Sequence, residues 1–481
     1  MVTANDRSED VVEALSLGAN DYVTKPIDFP VAVARIRTHV SARRADPLTG
    51  LPNRVQFIDK VETLLAQPGA GFALLFIDVD RFKGINDSFG HLAGDELLIG
   101  IARRLEQSLR ATGAVAGPEC RSTVARLGGD EFTILLEGIS SAEQAVAVAD
   151  RLLATLGQRF DMQGRDVFTS VSIGVALSGG QYQSAEELIR DADTAMYEAK
   201  ARGAGRCELF DASMLAATER RRQIASDLRH ALDRQELHVY YQPIVSMADD
   251  QLTGFEALVR WHHPERGVIL PAEFIGVAER TGLIVPIGIW VLREACRQMR
   301  AWDADYPACA GVSISVNLSA RQCVEPHLVA QIADILRETG LATGRLKLEI
   351  TESAVLADSD VVQQALGDLR ALGVHLGLDD FGTGYSALAY LQRFAFNTIK
   401  IDRAFVSRIH EGGNAEIIRA IISMAQGLSM DVTAEGVETA AQLSALKDLS
   451  CGAVQGFYFS KPLNATDAAA ALGERDAHRP A

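Results

Sequence analysis

The sequence predicts a multidomain α/β protein, and three observations carry that prediction. From Val239 to about residue 470, short apolar strands alternate with helix-length segments. That is about 250 residues, the size at which eight βα units close into a barrel. Between Asp46 and about residue 211, strands and helices follow in mixed order around a glycine hairpin. The chain has 481 residues, of which 48% are hydrophobic and 23% charged, as in a folded protein of about three domains. Domains are expected at 1–44, 45–212 and 218–473.

Charge and cysteine usage narrow the function classes. Lys and Arg number 47 against 63 Asp and Glu, a net charge of −16. Adhesion to nucleic acid or anionic lipid by bulk charge is therefore not expected, and an anionic ligand needs local cations. Cys120, Cys207, Cys296, Cys309, Cys323 and Cys451 are scattered without a C-x-x-C pair. This fits a reducing compartment, and the cytoplasm is expected. The apolar run Leu283 to Leu292 is too short to span a bilayer, and the N-terminus lacks signal-peptide regions.

The first segment reads as a helix from Val11 to Leu17, a turn at Gly18–Asp21, a strand at Tyr22–Val23 and a helix from Val31 to Arg44. That is too little chain to bury its own core. Val33, Ile36 and Val40 follow helical spacing and form a seam either with a partner chain or with the next domain. M-V-T-A followed by G-A-N-D-Y-V-T-K-P resembles the last third of a response-regulator receiver. The resemblance implies that Thr3 is the switch hydroxyl and Lys25-Pro26 the phosphate-site pair. The strand with the phospho-acceptor is expected upstream of Met1, so phosphorylation of this kind is not expected in the chain. A helical linker is the alternative.

In the middle segment, strands are expected at Ala73–Ile77, Val124–Arg126, Glu131–Leu136 and Val167–Ala176. Helices are expected at Val55–Leu65, Asp95–Leu109, Ala142–Leu156 and Ser184–Ala201, with a bridging helix at Glu219–Leu232. Asp78 and Asp80 end an apolar strand at i, i+2, which puts both on one face if the strand persists. Gly128 and Gly129 form a turn that permits positive φ and close approach of a phosphate, with Asp130 and Glu131 at its tip. Carboxylates on two neighbouring elements suit Mg²⁺ held jointly with substrate phosphates.

Four motifs in order, D-P-L-T-G-L-P-N-R, F-I-D-V-D-R-F-K-G-I-N-D-S-F-G-H-L-A-G-D, R-L-G-G-D-E-F and A-D-T-A-M-Y-E-A-K, resemble the GGDEF diguanylate cyclases over this whole segment. The resemblance implies a nucleotidyl-cyclase-like palm domain that binds one GTP with Mg²⁺ and acts as a homodimer. It implies Asp78, Asp130 and the Val79 carbonyl as metal ligands, with Glu131 at the 3′-hydroxyl or a metal. Phe82 and Lys83 lie at the phosphates, Gly128, Gly129 and Lys200 also face substrate, and Asn86 and Asp95 read guanine. Two departures stand out. Ala204 occupies a place where the family often has arginine, leaving Arg202 and Arg206 nearby. Glu119-Cys120-Arg121-Ser122 replaces the R-x-x-D inhibitory product site, so feedback through that site is not expected.

The third segment repeats one pattern, in which short apolar strands carry or end in Glu256, Asn317, Glu349, Asp379, Asp380, Lys400 and Glu435. In a parallel barrel these side chains converge at the C-terminal mouth. An acid-rich set with one amide and no thiol selects hard ions, Mg²⁺ or Mn²⁺. A shared aspartate can bridge two ions about 3.5–4 Å apart, the spacing for in-line phosphoryl displacement.

From Tyr241-Gln242-Pro243 to Gln455-Gly456-Phe457 the segment resembles the EAL phosphodiesterases of cyclic di-GMP, which implies an EAL-type (β/α)8 barrel. On that resemblance Glu256, Asn317, Glu349 and Asp379 hold one metal, and Asp379, Asp380 and Glu435 the other. Lys400 orients water, Gln242, Leu258, Arg260 and Gln455 contact substrate, and Glu352 steadies the loop D-D-F-G-T-G-Y-S-A-L, where Gly382 and Gly384 permit motion. Glu438 is expected beside the site. His262-His263-Pro264 reads as a loop, His91 as ordering its own loop, and Trp290, Met299 and Trp302 as helix packing. The expected function is cyclic di-GMP turnover. The alternatives are a GTP-sensing middle domain that tunes the barrel, or a nonenzymatic cyclic di-GMP receptor.

Overall fold

A computed structural model describes residues 2–3, 23–24, 27, 30, 45–67, 69, 71–110, 121–139, 141–162, 165–179, 182–307, 311–356, 360–382, 391, 394, 396–411 and 413–477. The helices expected at 11–17 and 31–44, the turn at 18–21, Lys25-Pro26, Glu119-Cys120 and Gly384 lie outside the described residues. Before residue 45, β1 (Val2–Thr3) and β2 (Val23–Thr24) pair in parallel. The chain divides into two compact units, Met1–Arg220 and Arg221–Ala481, with the division inside the helix Ser213–Leu228. Among the described residues, no helix is long and apolar enough to cross a membrane.

The first unit is built on β3 (Phe72–Val79), which is buried along its whole length. Its alternation serves two cores at once. Ala73, Leu75, Ile77 and Val79 pack with Leu97, Ile101, Val148 and Leu152, while Phe72, Leu74 and Phe76 pack with Phe57, Val61, Leu188 and Met196. A strand covered on both faces reads as a continuous apolar run. β3 pairs antiparallel with β5 (Glu131–Glu137), which pairs with β4 (Arg121–Gly128). The hairpin β6 (Phe160–Met162) and β7 (Arg165–Val167) stands apart, and β8 (Val171–Leu177) joins β3 to β9 (Cys207–Leu209), giving the order β4-β5-β3-β8-β9.

Two expectations are corrected here. The strand read at Val167–Ala176 is broken at residues 168–170, because Ser170 turns to Asp80: its carbonyl accepts from the Asp80 amide at 2.9 Å and its hydroxyl donates to Asp80 Oδ2 at 2.6 Å. A helix at Phe82–Phe89, not foreseen, precedes the helix His91–Arg110. The two meet at Gly94, where a Cβ would fall 2.0 Å from Asn86 Oδ1. Tertiary contact therefore makes a helix of a stretch too short and polar to declare itself.

In the second unit, eight strands close into a ring: β10 (Leu237–Ser246), β11 (Leu252–His263), β13 (Ser313–Asn317), β14 (Leu346–Thr351), β15 (His375–Phe381), β16 (Thr398–Ile401), β17 (Asp431–Ala434) and β18 (Ala453–Val454). β12 (Gly267–Ile269) extends β11 as an outer hairpin. The steps from β11 to β18 are parallel, but β10 runs antiparallel to both of its neighbours. The expectation of an all-parallel barrel is corrected accordingly. Only a short turn separates β10 from β11, and a parallel pair needs a crossover of a dozen residues or more. His262 and His263, read as loop, belong to β11.

Candidate active sites

In the barrel, strand alternation places Glu256, Leu258 and Arg260 on one face of β11, opposite Gln242, Tyr240 and His238 of β10. Register then sets Glu256 beside Ser315, Asn317 beside Glu349, and Thr351 beside Asp379. Into this ring β16 delivers Lys400, which is 1% exposed. A buried ammonium requires counter-charges. Lys400 Nζ finds Glu349 Oε2 at 2.7 Å, Glu256 Oε2 at 3.1 Å and Asp379 Oδ1 at 3.4 Å, and it also pairs with Glu435.

Titration follows from this crowding. Burial opposes the charge on Lys400, yet the surrounding acids hold its pKa well above the usual value. Burial pushes Glu349 up to about 7 and Glu435 up to about 8, with neighbouring acids adding to what Lys400 offsets. Burial, then Asp379 and Asp402, lift Asp380 to about 6. Glu256 is held below its ordinary value: Lys400, Gln455 and Asn317 together outweigh its burial.

The donor set fits divalent cations. Carboxylate oxygens of Asp379, Asp380 and Glu435 lie within 4.8 Å of one another. Four carboxylates, Glu256, Glu349, Asp379 and Glu435, pair with one ammonium, which leaves an excess of negative charge for cations to offset when all are ionised. Oxygen donors select Mg²⁺ or Mn²⁺.

The surroundings hold these groups in place. Asn317 Nδ2 donates to Glu256 Oε1 at 2.7 Å. Gln455 Nε2 donates to Glu256 Oε2 at 2.6 Å and to Gln242 Oε1 at 3.0 Å, while its own buried Oε1 has no hydrogen-bond partner among the described residues. Leu258 is half-buried, and Arg260 lies 5.8 Å over the Tyr240 ring. Glu352, 3% exposed, accepts from the Gly382 amide at 3.2 Å. Gly382 has φ +98° and its Cβ position falls 2.9 Å from Phe405, so only glycine fits there. Glu438, expected beside the site, is exposed, and its amide donates to Gln442 Oε1 at 2.8 Å. Sequence reasoning missed Asp402, which shares a hydrogen bond with Asp380. The signal was there, since T-I-K-I-D ends in it two residues after Lys400.

In the first unit, parity puts Asp78 on the face of β3 toward the helix Ala185–Ala201, and Lys200 Nζ lies 2.5 Å from Asp78 Oδ1. Asp78 stands directly opposite Glu131 across the β3–β5 ladder. Burial raises the Asp78 pKa, with Asp130 and Asp80 adding to it against Lys200. Burial raises Glu131 too, with Asp193, Asp78 and Asp130 contributing. Such an acid cluster, only partly offset by Lys200, suits a metal held with phosphates.

Asp80 lies one residue past the end of β3 at Val79. It accepts from Ser170, from Ser172 at 2.7 Å and from the Gly205 amide at 3.1 Å, which makes it a structural acid. Gly128 and Gly129 have φ of 145° and 54°, and among the described residues nothing lies within 4 Å of their Cβ positions, so conformation rather than crowding requires glycine. Phe82 is half-buried, Lys83 and Asp95 are exposed, and the buried Asn86 Oδ1 lacks a hydrogen-bond partner among the described residues. Arg202 is held by Glu208 at 2.9 Å, and Ala204 sits at φ +55°.

The sequence matches the EAL domain over residues 225–462 and the diguanylate cyclase, GGDEF domain, over residues 43–206. It is 42% identical over 425 residues to the bifunctional diguanylate cyclase/cyclic di-GMP phosphodiesterase MucR of Pseudomonas aeruginosa, covering 87% of this chain and 60% of MucR. It is 38% identical to the cyclic di-GMP phosphodiesterase NbdA of the same organism, covering 88% of this chain and 54% of NbdA. The chain thus spans little more than half the length of these relatives. Among solved structures, the EAL enzyme Bd1971 with cAMP and cyclic di-GMP matches with TM-score 0.52 and 26% identity, over 64% of this chain and 82% of that one. The S helix-GGDEF-EAL portion of Vibrio cholerae LapD matches in fold with TM-score 0.59 and 18% identity, over 90% of this chain and 100% of that one.

Proposed function

Because the chain belongs to the tandem GGDEF–EAL proteins, we propose that its barrel hydrolyses cyclic di-GMP to linear pGpG and, more slowly, GMP. The observation that carries this reading is Lys400 buried among four acids at the mouth of a closed barrel. Glu256, Asn317, Glu349 and Asp379 would hold one Mg²⁺ or Mn²⁺, and Asp379, Asp380 and Glu435 a second. When bound, the ions supply a nucleophilic water and neutralise charge on the phosphodiester. Lys400 orients that water through its ammonium. Arg260 can grip a phosphate by two parallel bonds. Leu258 offers an apolar surface to a base, Gln242 and Gln455 offer amides, and Glu352 holds the Gly382 backbone.

The GGDEF unit is proposed to bind GTP and to join two GTP into cyclic di-GMP. Asp78, Asp130 and the Val79 carbonyl would hold Mg²⁺, with Glu131 at the attacking 3′-hydroxyl or a metal. Phe82, Lys83, Gly128, Gly129 and Lys200 would face the phosphates, and Asn86 and Asp95 the guanine edge, where an amide and a carboxylate match its acceptors and donors. Two half-sites must meet, so synthesis requires a homodimer. Residues 1–44 are proposed as receiver-derived input, and the protein as cytoplasmic.

A second reading, a GTP-binding unit that regulates the barrel without making product, is favoured by Ala204 and by the engagement of Arg202 with Glu208, which leave fewer cations for the terminal phosphate. The test is purified protein with Mg²⁺ or Mn²⁺, incubated separately with GTP and with cyclic di-GMP. Expected are pGpG from cyclic di-GMP, abolished in Glu256→Ala, and cyclic di-GMP from GTP in Glu256→Ala, abolished in Asp130→Ala. Untouched GTP alongside pGpG would assign the first unit to regulation, and untouched cyclic di-GMP would make the barrel a receptor.

A further inference from the structure

Beneath the acid cluster the barrel interior carries two hydroxyls that the proposed chemistry does not use. Lys400 reaches the acids inside the ring, so Thr398, two residues earlier on β16, faces inward as well. Asn317 donates to Glu256, which fixes Ser315 of β13 on the inner side by the same alternation. Ser315 is 1% exposed and Thr398 5%. Among the described residues, neither Ser315 Oγ nor Thr398 Oγ1 has a hydrogen-bond partner.

Register sets what surrounds them. Ser315 stands beside Glu256 in the ladder between β11 and β13. Thr398 lies in one row with Gly377 and Glu349, across β16, β15 and β14. Gly377 puts no side chain into that row, and a Cβ there would fall 3.3 Å from Glu349 Cγ. The Glu349 side chain thus crosses β15 over Gly377 to reach Lys400, two residues past Thr398 toward the mouth. A hydroxyl buried without a partner is costly, and protein interiors satisfy such groups with ordered water. A buried water makes about three hydrogen bonds, so it needs polar neighbours besides the hydroxyl. Here register supplies carboxylates, Glu256 to Ser315 and Glu349 to Thr398.

We infer that ordered water lies in the barrel interior beneath the acids, bound by the hydroxyls of Ser315 and Thr398, and that through it these two are positioning residues for Glu256 and Glu349. Their role in turnover rests on the phosphodiesterase reading, whereas the water does not. Oxygen-17 relaxation dispersion on the full chain counts long-lived internal waters. Ser315→Ala and Thr398→Val should each lower that count and lower the urea midpoint, because each loses a bound water with its hydrogen bonds. Removing a dry hydroxyl would instead leave the count unchanged and raise the midpoint. With Mg²⁺, each variant should lower kcat for cyclic di-GMP hydrolysis by about tenfold, the scale for groups that hold metal-facing ligands, with little change in KM. Thr398→Ser keeps the hydroxyl and should recover most of that loss. An unchanged water count in either variant overturns the inference, and parent-like kcat in either overturns the positioning role. A parent protein that leaves cyclic di-GMP intact overturns the phosphodiesterase reading alone, and the water count still decides the site.

Discussion

Lys400 Nζ lies 2.7 Å from Glu349 Oε2, a contact between β16 and β14, two strands that do not pair with each other. The ion pair thus spans the intervening β15, and the barrel mouth is organised around one buried cation that several acids share.

Lys400→Met should therefore leave a nest of buried carboxylates without their counter-charge. In EDTA the expected cost is about 3–5 kcal/mol of stability, the range for breaking a buried pair. Added Mn²⁺ should recover part of that loss, since a ligand that binds only the folded state stabilises it. Urea melts with and without Mn²⁺ check this, and parent-like stability in EDTA would contradict the buried-cluster account.

The glycine turn makes a second prediction. Gly128→Ala, at φ +145°, should cost more than Gly129→Ala, at φ +54°, because the second lies in a region L-residues visit at modest strain. Costs of about 1–3 kcal/mol are expected, with no steric clash to add to them. Equilibrium denaturation of the two variants ranks them.

Asp46 supplies a pH dependence. Burial pushes its carboxyl up, but hydrogen bonds from Thr49 and Arg126 outweigh burial and hold it below the ordinary value. A depressed folded pKa contributes stability that is fully present above the unfolded value of about 3.9 and is lost as pH falls through the folded value. The stability difference between parent and Asp46→Asn should be constant near neutrality and shrink toward zero on the acid side. Urea midpoints measured as pH is lowered test the sign, and a difference that grows in acid would refute it.

The thiols give a fourth. Burial lifts Cys207, Cys296 and Cys323 to about 12 and Cys451 to about 11. At pH 8 all four should resist iodoacetamide in the folded protein and react fully in denaturant, because the thiolate is the reactive form. Mass spectrometry of the labelled peptides reads this directly, and rapid labelling of folded Cys296 would show the core to be more open than described.

Much of the candidate chemistry is legible in sequence because it sits at the ends of short apolar strands. Glu256, Asn317, Glu349, Asp379, Lys400 and Glu435 each terminate or punctuate such a run, and a closed barrel has one mouth at which they can meet. Asp78, Asp130 and Glu131 are likewise marked by an apolar strand and a glycine turn. What escaped notice were groups whose partners are distant in sequence: Arg126 with Asp46, Asp402 with Asp380, and Asp80 with Ser170.

The sequence by itself determined most of the elements, their periodicities and the residue types at strand ends, since these follow from local alternation and turn chemistry. Tertiary structure alone decided that β10 runs antiparallel, that β3 stops at Val79 with Asp80 bound by Ser170 and Ser172, and that the helix Phe82–Phe89 forms against Gly94. Each depends on which segment lies alongside and what hydrogen bonds it leaves open, and neither spacing nor composition along one strand carries that information.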